Sequence, residues 1–303
     1  MRIQALILFL AIQISPCLAS STAPAAGESL EYTLTFRGLV TGFVKLDIAK
    51  LILSVEPEQQ EVEGTAAYVT RMQLTTEPYS KAELLYPIRL DYRSWLDARL
   101  LQPLLATKSM QTDEDRRELF WFDRAEQTGY HYASGKPEEG AAQLTPPTEL
   151  LQSASLAEQP WSGLTETQRM TLELPQVLDY MGMLHQLRHM PLQPGEWHEF
   201  TVYNGKKLEH YRVQVAKERL ARGGWDLPAY RLKLYEYDPK KQKLDDEIDI
   251  WLSDDDQRLL LRFYAERTIG ALEGLLDTGR PENGRHDTLP ESTQRSLETY
   301  LGF

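Results

Sequence analysis

From Leu30 the chain alternates strictly: Leu30, Tyr32, Leu34 and Phe36 are apolar, and Glu31, Thr33 and Thr35 between them are polar. Successive side chains of an extended strand point to opposite faces, so a two-residue period makes one apolar and one polar face. A helix, with its 3.6-residue period, would scatter these residues around its whole surface. The chain is thereby committed to half-buried antiparallel strands, whose apolar face needs a second layer over it.

The pattern recurs. Gly38 and Gly42 bracket a turn or bulge, "GLVTG", before a second strand over residues 43–48, and strand-like runs follow at 66–75, 88–96, 104–110 and 117–122. Most are separated by Pro, Gly, Asp or Glu, so residues 27–132 read as a β-meander. Residues 133–174 are rich in Pro, Ser, Gln and Glu without a stable period, and read as an irregular surface excursion. At 175–190 the period changes to that of a helix. Val177, Leu178, Met181, Leu184 and Leu187 form an apolar stripe, with Pro175 in the first turn and Pro191 as the stop. Strands return at 200–203, 211–215, 230–235, 248–252 and 259–264, with Asn204-Gly205 as a hairpin signal between the first two. This second half spans 191–278, and the tail at 279–303 ends in a short expected helix.

The halves echo each other. "GESLEY" at Gly27 matches "GEWHEF" at Gly195, an offset of 168 residues, and Trp95-Leu96 matches Trp251-Leu252 at an offset of 156. Unequal offsets require loops of different length between similar strands, which favours two related sheets over a solenoid of fixed period. The expected fold is mainly β: two related antiparallel half-barrel sheets, with the helix between them packed on one concave face.

Cys17 is the chain's one cysteine, and it lies in an N-terminal segment with Arg2, an apolar run from Ala5 to Ile14 and then small residues. That is the anatomy of a secretory signal, too short in its apolar core to span a bilayer permanently; cleavage is expected after Ala19 or Ser20, and cleavage after Ala19 gives a leader at 1–19. Pro16 before Cys17 disfavours acylation of that cysteine. The mature chain would then hold together without disulfides, in the bacterial periplasm. Removing Arg2 leaves 32 basic against 45 acidic residues, a surface that repels phosphate backbones and argues against nucleic acid as a partner. No other run reaches transmembrane length, so an integral membrane protein is not expected.

Four stretches carry a resemblance: "GESLEYTLTFRGLVTGFVKLDI"; "LLYPIRLDYRSWLDARLLQPLLA"; "LHQLR" before "MPLQPGE"; and "IDIWLSDDDQRLLLRFYAERTIGALEGLL". In their order and content they resemble the exported bacterial proteins grouped as domain of unknown function 3108, although Leu260 stands where that family usually has Pro. The resemblance implies a lipocalin-like or carrier-like half-barrel in the cell envelope, and it implies no catalytic residues.

Chemistry-bearing motifs are sparse. His185 and His189 share a helix face at metal-ligand spacing, but Gln186 stands where a zincin needs Glu, and Arg188 disfavours a nearby cation. Asp254, Asp255 and Asp256 read as turn residues, because the Gly and terminal Glu of an EF-hand loop are missing. Neither a metal nor a cofactor is expected. The aromatics on strands are the strongest candidate site, and Tyr32, Phe36, Tyr92, Trp95, Tyr230, Trp251 and Phe263 are expected to line either filled cores or a groove for a lipid or glycan. The expected function is non-enzymatic binding of such an envelope-derived ligand. The alternatives are a scaffold that meets an envelope protein and, behind it, a glycan hydrolase using an acidic pair.

Overall fold

The computed structural model describes residues 25–277, apart from 39–42, 100, 113–114, 136–143, 157–160, 162, 174–175, 223–224, 242 and 269. The leader at 1–19 with Cys17, residue Pro175 and the tail at 279–303 lie outside the described residues.

The elements run β1 (Ser29–Gly38), β2 (Leu46–Val55), β3 (Gln60–Val62), β4 (Thr65–Thr75), α1 (Ser80–Leu85), β5 (Arg89–Asp97), β6 (Pro103–Gln111), β7 (Asp115–Asp123), β8 (Thr128–Ala133), α2 (Thr148–Ser153) and β9 (Thr165–Thr171). They continue with β10 (Val177–Leu178), α3 (Tyr180–His189), β11 (Trp197–Tyr203), β12 (Leu208–Arg222), β13 (Trp225–Asp238), β14 (Lys243–Ser253), β15 (Leu260–Arg267) and β16 (Gly270–Leu276). The fold is mainly β, as the alternation demands. Its strands make one large, mostly antiparallel sheet in which the last strand returns to the first: β16 pairs β1 from Tyr32 opposite Leu276 to Gly38 opposite Gly270. The two related halves are thus fused edge to edge. The sheet's path ends at β9 on one side and β10 on the other without closing into a barrel.

The sequence echo is a structural repeat. In the first half Gly27 N donates to Val55 O at 3.1 Å and Val55 N to Glu28 O at 2.9 Å; in the second, Gly195 N donates to Val215 O at 2.8 Å and Val215 N to Glu196 O at 3.0 Å. Gly27 and Gly195 both sit at positive φ, +78° and +94°, where glycine is favoured. Further along, the β5–β6 register slips between Trp95 and Leu96, and the β14–β15 register slips between Trp251 and Leu252. Each Trp-Leu pair faces a β-bulge on the next strand, at Leu104 and at Leu261, and the two side chains alternate to opposite faces just before a turn that opens on Asp or Ser-Asp. Asp97 Oδ1 accepts from Arg99 N at 2.7 Å, and Asp255 Oδ1 accepts from Arg258 N at 2.8 Å. The acidic residues after each Trp-Leu are therefore turn residues that satisfy local backbone amides.

The interior is filled by α3. Met181, Met183 and Leu187 pack with Leu30, Tyr32 and Leu34 of β1, Leu51 and Leu53 of β2, Phe120 and Phe122 of β7, and Val213 and Val215 of β12, so both halves share one core. The helix begins later than its periodicity suggests. Val177 and Leu178 pair in parallel with Thr201 and Val202 of β11, and Asp179 is the N-cap, accepting from Gly182 N at 2.7 Å. A two-strand pairing competes successfully with helix here because it buries both side chains and satisfies their backbone groups.

The expectation of an irregular excursion at 133–174 needs correction. Its described part holds α2 and β9, and Leu150, Ala154, Leu156, Trp161 and Leu164 cover the second face of the first half, over Val69, Trp95, Leu105, Leu119 and Tyr132. A period was missing because the segment buries scattered residues from a short helix and turns. The gap between the sheet's ends is bridged by side chains: Tyr203 meets Phe122 edge to face at 5.7 Å, and Gln168 Nε2 donates to Lys206 O at 2.7 Å.

Arg188 ties three parts together. Its guanidinium makes a two-pronged pair with Glu28 at 2.6 and 2.7 Å and also donates to the carbonyls of Gln257 and Arg258. Both partners' side chains are only 5% exposed, so removing either would leave a buried charge without its counter-ion.

Candidate functional site

The aromatic residues singled out from sequence do not share one concavity. Tyr32, Tyr92, Tyr230 and Phe263 belong to the core shared with α3, and Phe36 alternates onto the same face of β1 as Tyr32. Tyr32 donates to Leu260 O at 2.7 Å and Tyr92 to Asp179 Oδ2 at 3.0 Å, so both hydroxyls are occupied by the fold. Burial raises both phenols well above their ordinary value. Trp95 lies on the opposite face, in the core covered by α2, and its Nε1 donates to Gln60 Oε1 at 2.9 Å. Trp251 holds the equivalent bulge position in the second half but belongs to the same buried cluster as Tyr32 and Tyr92, and guanidinium groups lie over its ring: Arg262 is 4.2 Å and Arg231 5.3 Å from the centroid.

His185 is buried and its Nδ1 has no hydrogen-bond partner among the described residues; burial, then Arg188 and His189, push its pKa well below the ordinary value. His189 Nδ1 contacts His185 O at 2.7 Å, so this pair is turned toward the helix backbone. No group of three or more potential metal ligands comes together among the described residues. No described helix is long and apolar enough to cross a membrane.

An open groove lies elsewhere, on the face of the sheet away from α3, where β15, β16 and β1 meet. It encloses about 300 Å³ and is lined by Thr35, Arg37, Lys45, Arg262, Tyr264, Ala271 and Glu273. Strand pairing explains the assembly: Thr35 stands opposite Glu273, Glu273 opposite Tyr264, and Arg37 opposite Ala271. Directly opposed residues share a face, so three strands deliver these side chains to one surface. Ala271 provides the floor's small side chain.

The charges are unbalanced. Glu273, 5% exposed, accepts from Arg262 Nε at 2.8 Å and pairs with Lys45 Nζ at 3.0 Å. The Arg37 side chain makes no hydrogen bond or ion pair among the described residues. Three cations therefore converge on one carboxylate, in a chain of formal net charge −12. Arg262 is held in place twice, by Glu273 and by stacking on Trp251 and Tyr264, which fixes its guanidinium before any ligand arrives. The Tyr264 hydroxyl donates to Glu266 Oε2 at 3.1 Å, and burial followed by this bond raises its pKa.

Residues 31–277 match the family described as a protein of unknown function, DUF3108. The chain belongs to the DUF3108 family. A comparison with curated proteins finds no similar sequence. Among solved structures, the DUF3108 chain is similar to a β-barrel-like protein of domain of unknown function DUF1849 from Brucella abortus, at 10% identity and a TM-score of 0.46, covering 83% of this chain and 96% of that one.

Sequence reasoning missed the groove residues. Arg37 and Lys45 flank "GLVTG" and were within view, but Arg262, Tyr264 and Glu273 join them only through the pairing of β16 with β1, which no local pattern announces.

Proposed function

We propose that this DUF3108 protein is an exported envelope protein that binds an anionic, phosphate-bearing headgroup or sugar in the groove between β15, β16 and β1. The observation that carries this reading is the local excess of positive charge, with Arg37 unpaired among the described residues beside a fixed Arg262. Guanidinium forks match phosphate geometry, and a groove of this size suits one headgroup or sugar unit rather than an acyl chain. The interior offers a lipid far less room: the crevice where α3 meets β1 and β2 holds about 10 Å³, roughly one water. This moves the expected ligand from the concave faces to the outer surface of the seam.

Calorimetric titration with N-acetylglucosamine 1-phosphate and with N-acetylglucosamine tests the reading. Binding of the phosphate form, weakened at least tenfold in Arg37→Ala and falling as salt is raised, is expected. Equal binding of both compounds, or no loss in Arg37→Ala, would reject the groove as an anion site.

A further inference from the structure

The five most exposed large apolar side chains among the described residues are Leu84 at 85%, Leu85 at 76%, Phe43 at 69%, Val44 at 67% and Tyr86 at 61%. They come from two neighbouring segments at one end of the sheet. Phe43 and Val44 lead into β2, and Leu84, Leu85 and Tyr86 close α1, which lies against β2. Helix α1 buries none of its residues, so its two leucines serve no core within this chain. A short helix ordinarily exists to bury its apolar side; this one presents it to solvent.

We infer that this end of the molecule is a docking surface for a phospholipid bilayer. Three features favour a bilayer over another protein. The apolar residues sit at the tips of a hairpin and a strand-to-strand connection, which suits shallow insertion. They combine aliphatic residues with Phe and Tyr, the mixture that partitions into the headgroup and upper acyl region. Cations flank them: Arg37 stands next to last in the adjoining strand and Lys81 in α1, while Lys45, which follows Val44, is shared with Glu273. Glu83, the acid within α1, is already engaged by Arg89 and Thr76, and those bonds hold its carboxyl at about 2. Glu77 is likewise paired with Arg89, at 3.7 Å, and exposed Asp47 remains as an opposing charge. Insertion would set the groove, which begins at Lys45, beside the bilayer surface.

Flotation with vesicles of phosphatidylethanolamine and phosphatidylglycerol is the test. The native protein is expected to float with the vesicles. Phe43→Ser/Val44→Ser and Leu84→Ser/Leu85→Ser should each lower the bound fraction at least fivefold with the melting temperature unchanged, because neither pair is buried. Protein that stays at the bottom, or variants that float like the native chain, would overturn the inference. A concentration-dependent dimer abolished by the same variants, without flotation, would assign the surface to a second copy and also overturn it. Saturating glycerol 1-phosphate separates this surface from the groove. Flotation should fall by less than twofold; its loss would mean attachment through the groove alone, leaving the anion site intact and the docking surface refuted.

Discussion

Trp95 and Trp251 occupy the same bulge in the two halves, yet one is covered by a helix and turns and the other by guanidinium groups. Each is nearly inaccessible, so Trp95→Ala and Trp251→Ala should each cost about 3–5 kcal/mol in denaturant titration. Their functional consequences differ. Trp251→Ala removes one of the groups that hold Arg262 and should weaken phosphate binding in the groove, whereas Trp95→Ala should leave that affinity unchanged in the folded fraction. Gly205 offers a second test at this scale. Its φ is +89°, and an added Cβ would collide with the Phe120 ring. Gly205→Ala should therefore destabilise by about 2–4 kcal/mol, measured in the same way. The hairpin turn at Asn204-Gly205 was legible in sequence, since Asn204 Oδ1 does accept from Lys206 N and Lys207 N. That Gly205 presses on Phe120 was not, because the contact closes the gap between opposite ends of the sheet.

At the level of elements, β6, β7 and β8 carry a polar ladder beside the core. The His131 ring beside Glu118, with Lys108 Nζ at 2.8 Å, holds the Glu118 carboxyl at about 2. A depressed carboxylate stabilises the fold above its unfolded pKa, near 4.5, and that contribution is lost as pH falls toward 2. Glu118→Gln should therefore be less stable than the native chain by about 1–2 kcal/mol at pH 7, after allowance for solvent screening. The difference should vanish between pH 4.5 and pH 2; a constant difference across that range would contradict the assignment. Helix α3 shows what periodicity can and cannot reveal. Met181 and Leu187 marked its apolar stripe correctly, but Val177 and Leu178 were absorbed into a strand because β11 offered them backbone partners. Buried Arg188 was hidden as well, since a charged residue reads as solvent-facing until its counter-ion, 160 residues away, is brought beside it.

For the whole molecule, the Glu28–Arg188 pair and the β16–β1 seam join the two halves. Arg188→Ala should cost about 3–5 kcal/mol and be followed by a single unfolding transition, because Glu28 would remain buried without its partner. Glu28→Leu/Arg188→Met should recover much of that loss; two separate transitions would show that the halves fold independently. The alternation from Leu30 and the repeated Trp-Leu phrase were enough to indicate a β-rich chain in two related halves. The order of strands around the seam was beyond them, and with it the groove, since Thr35 and Glu273 are neighbours only in the folded sheet. The central claim is that the ligand sits in this outer groove while α3 fills the interior. Native mass spectrometry of protein purified gently from its own cells, beside Arg37→Ala/Lys45→Ala purified alike, tests it most directly. A phosphate-bearing species retained by the native chain and lost from the variant is the predicted result; an acyl lipid retained equally by both would place the ligand in the interior and contradict the account.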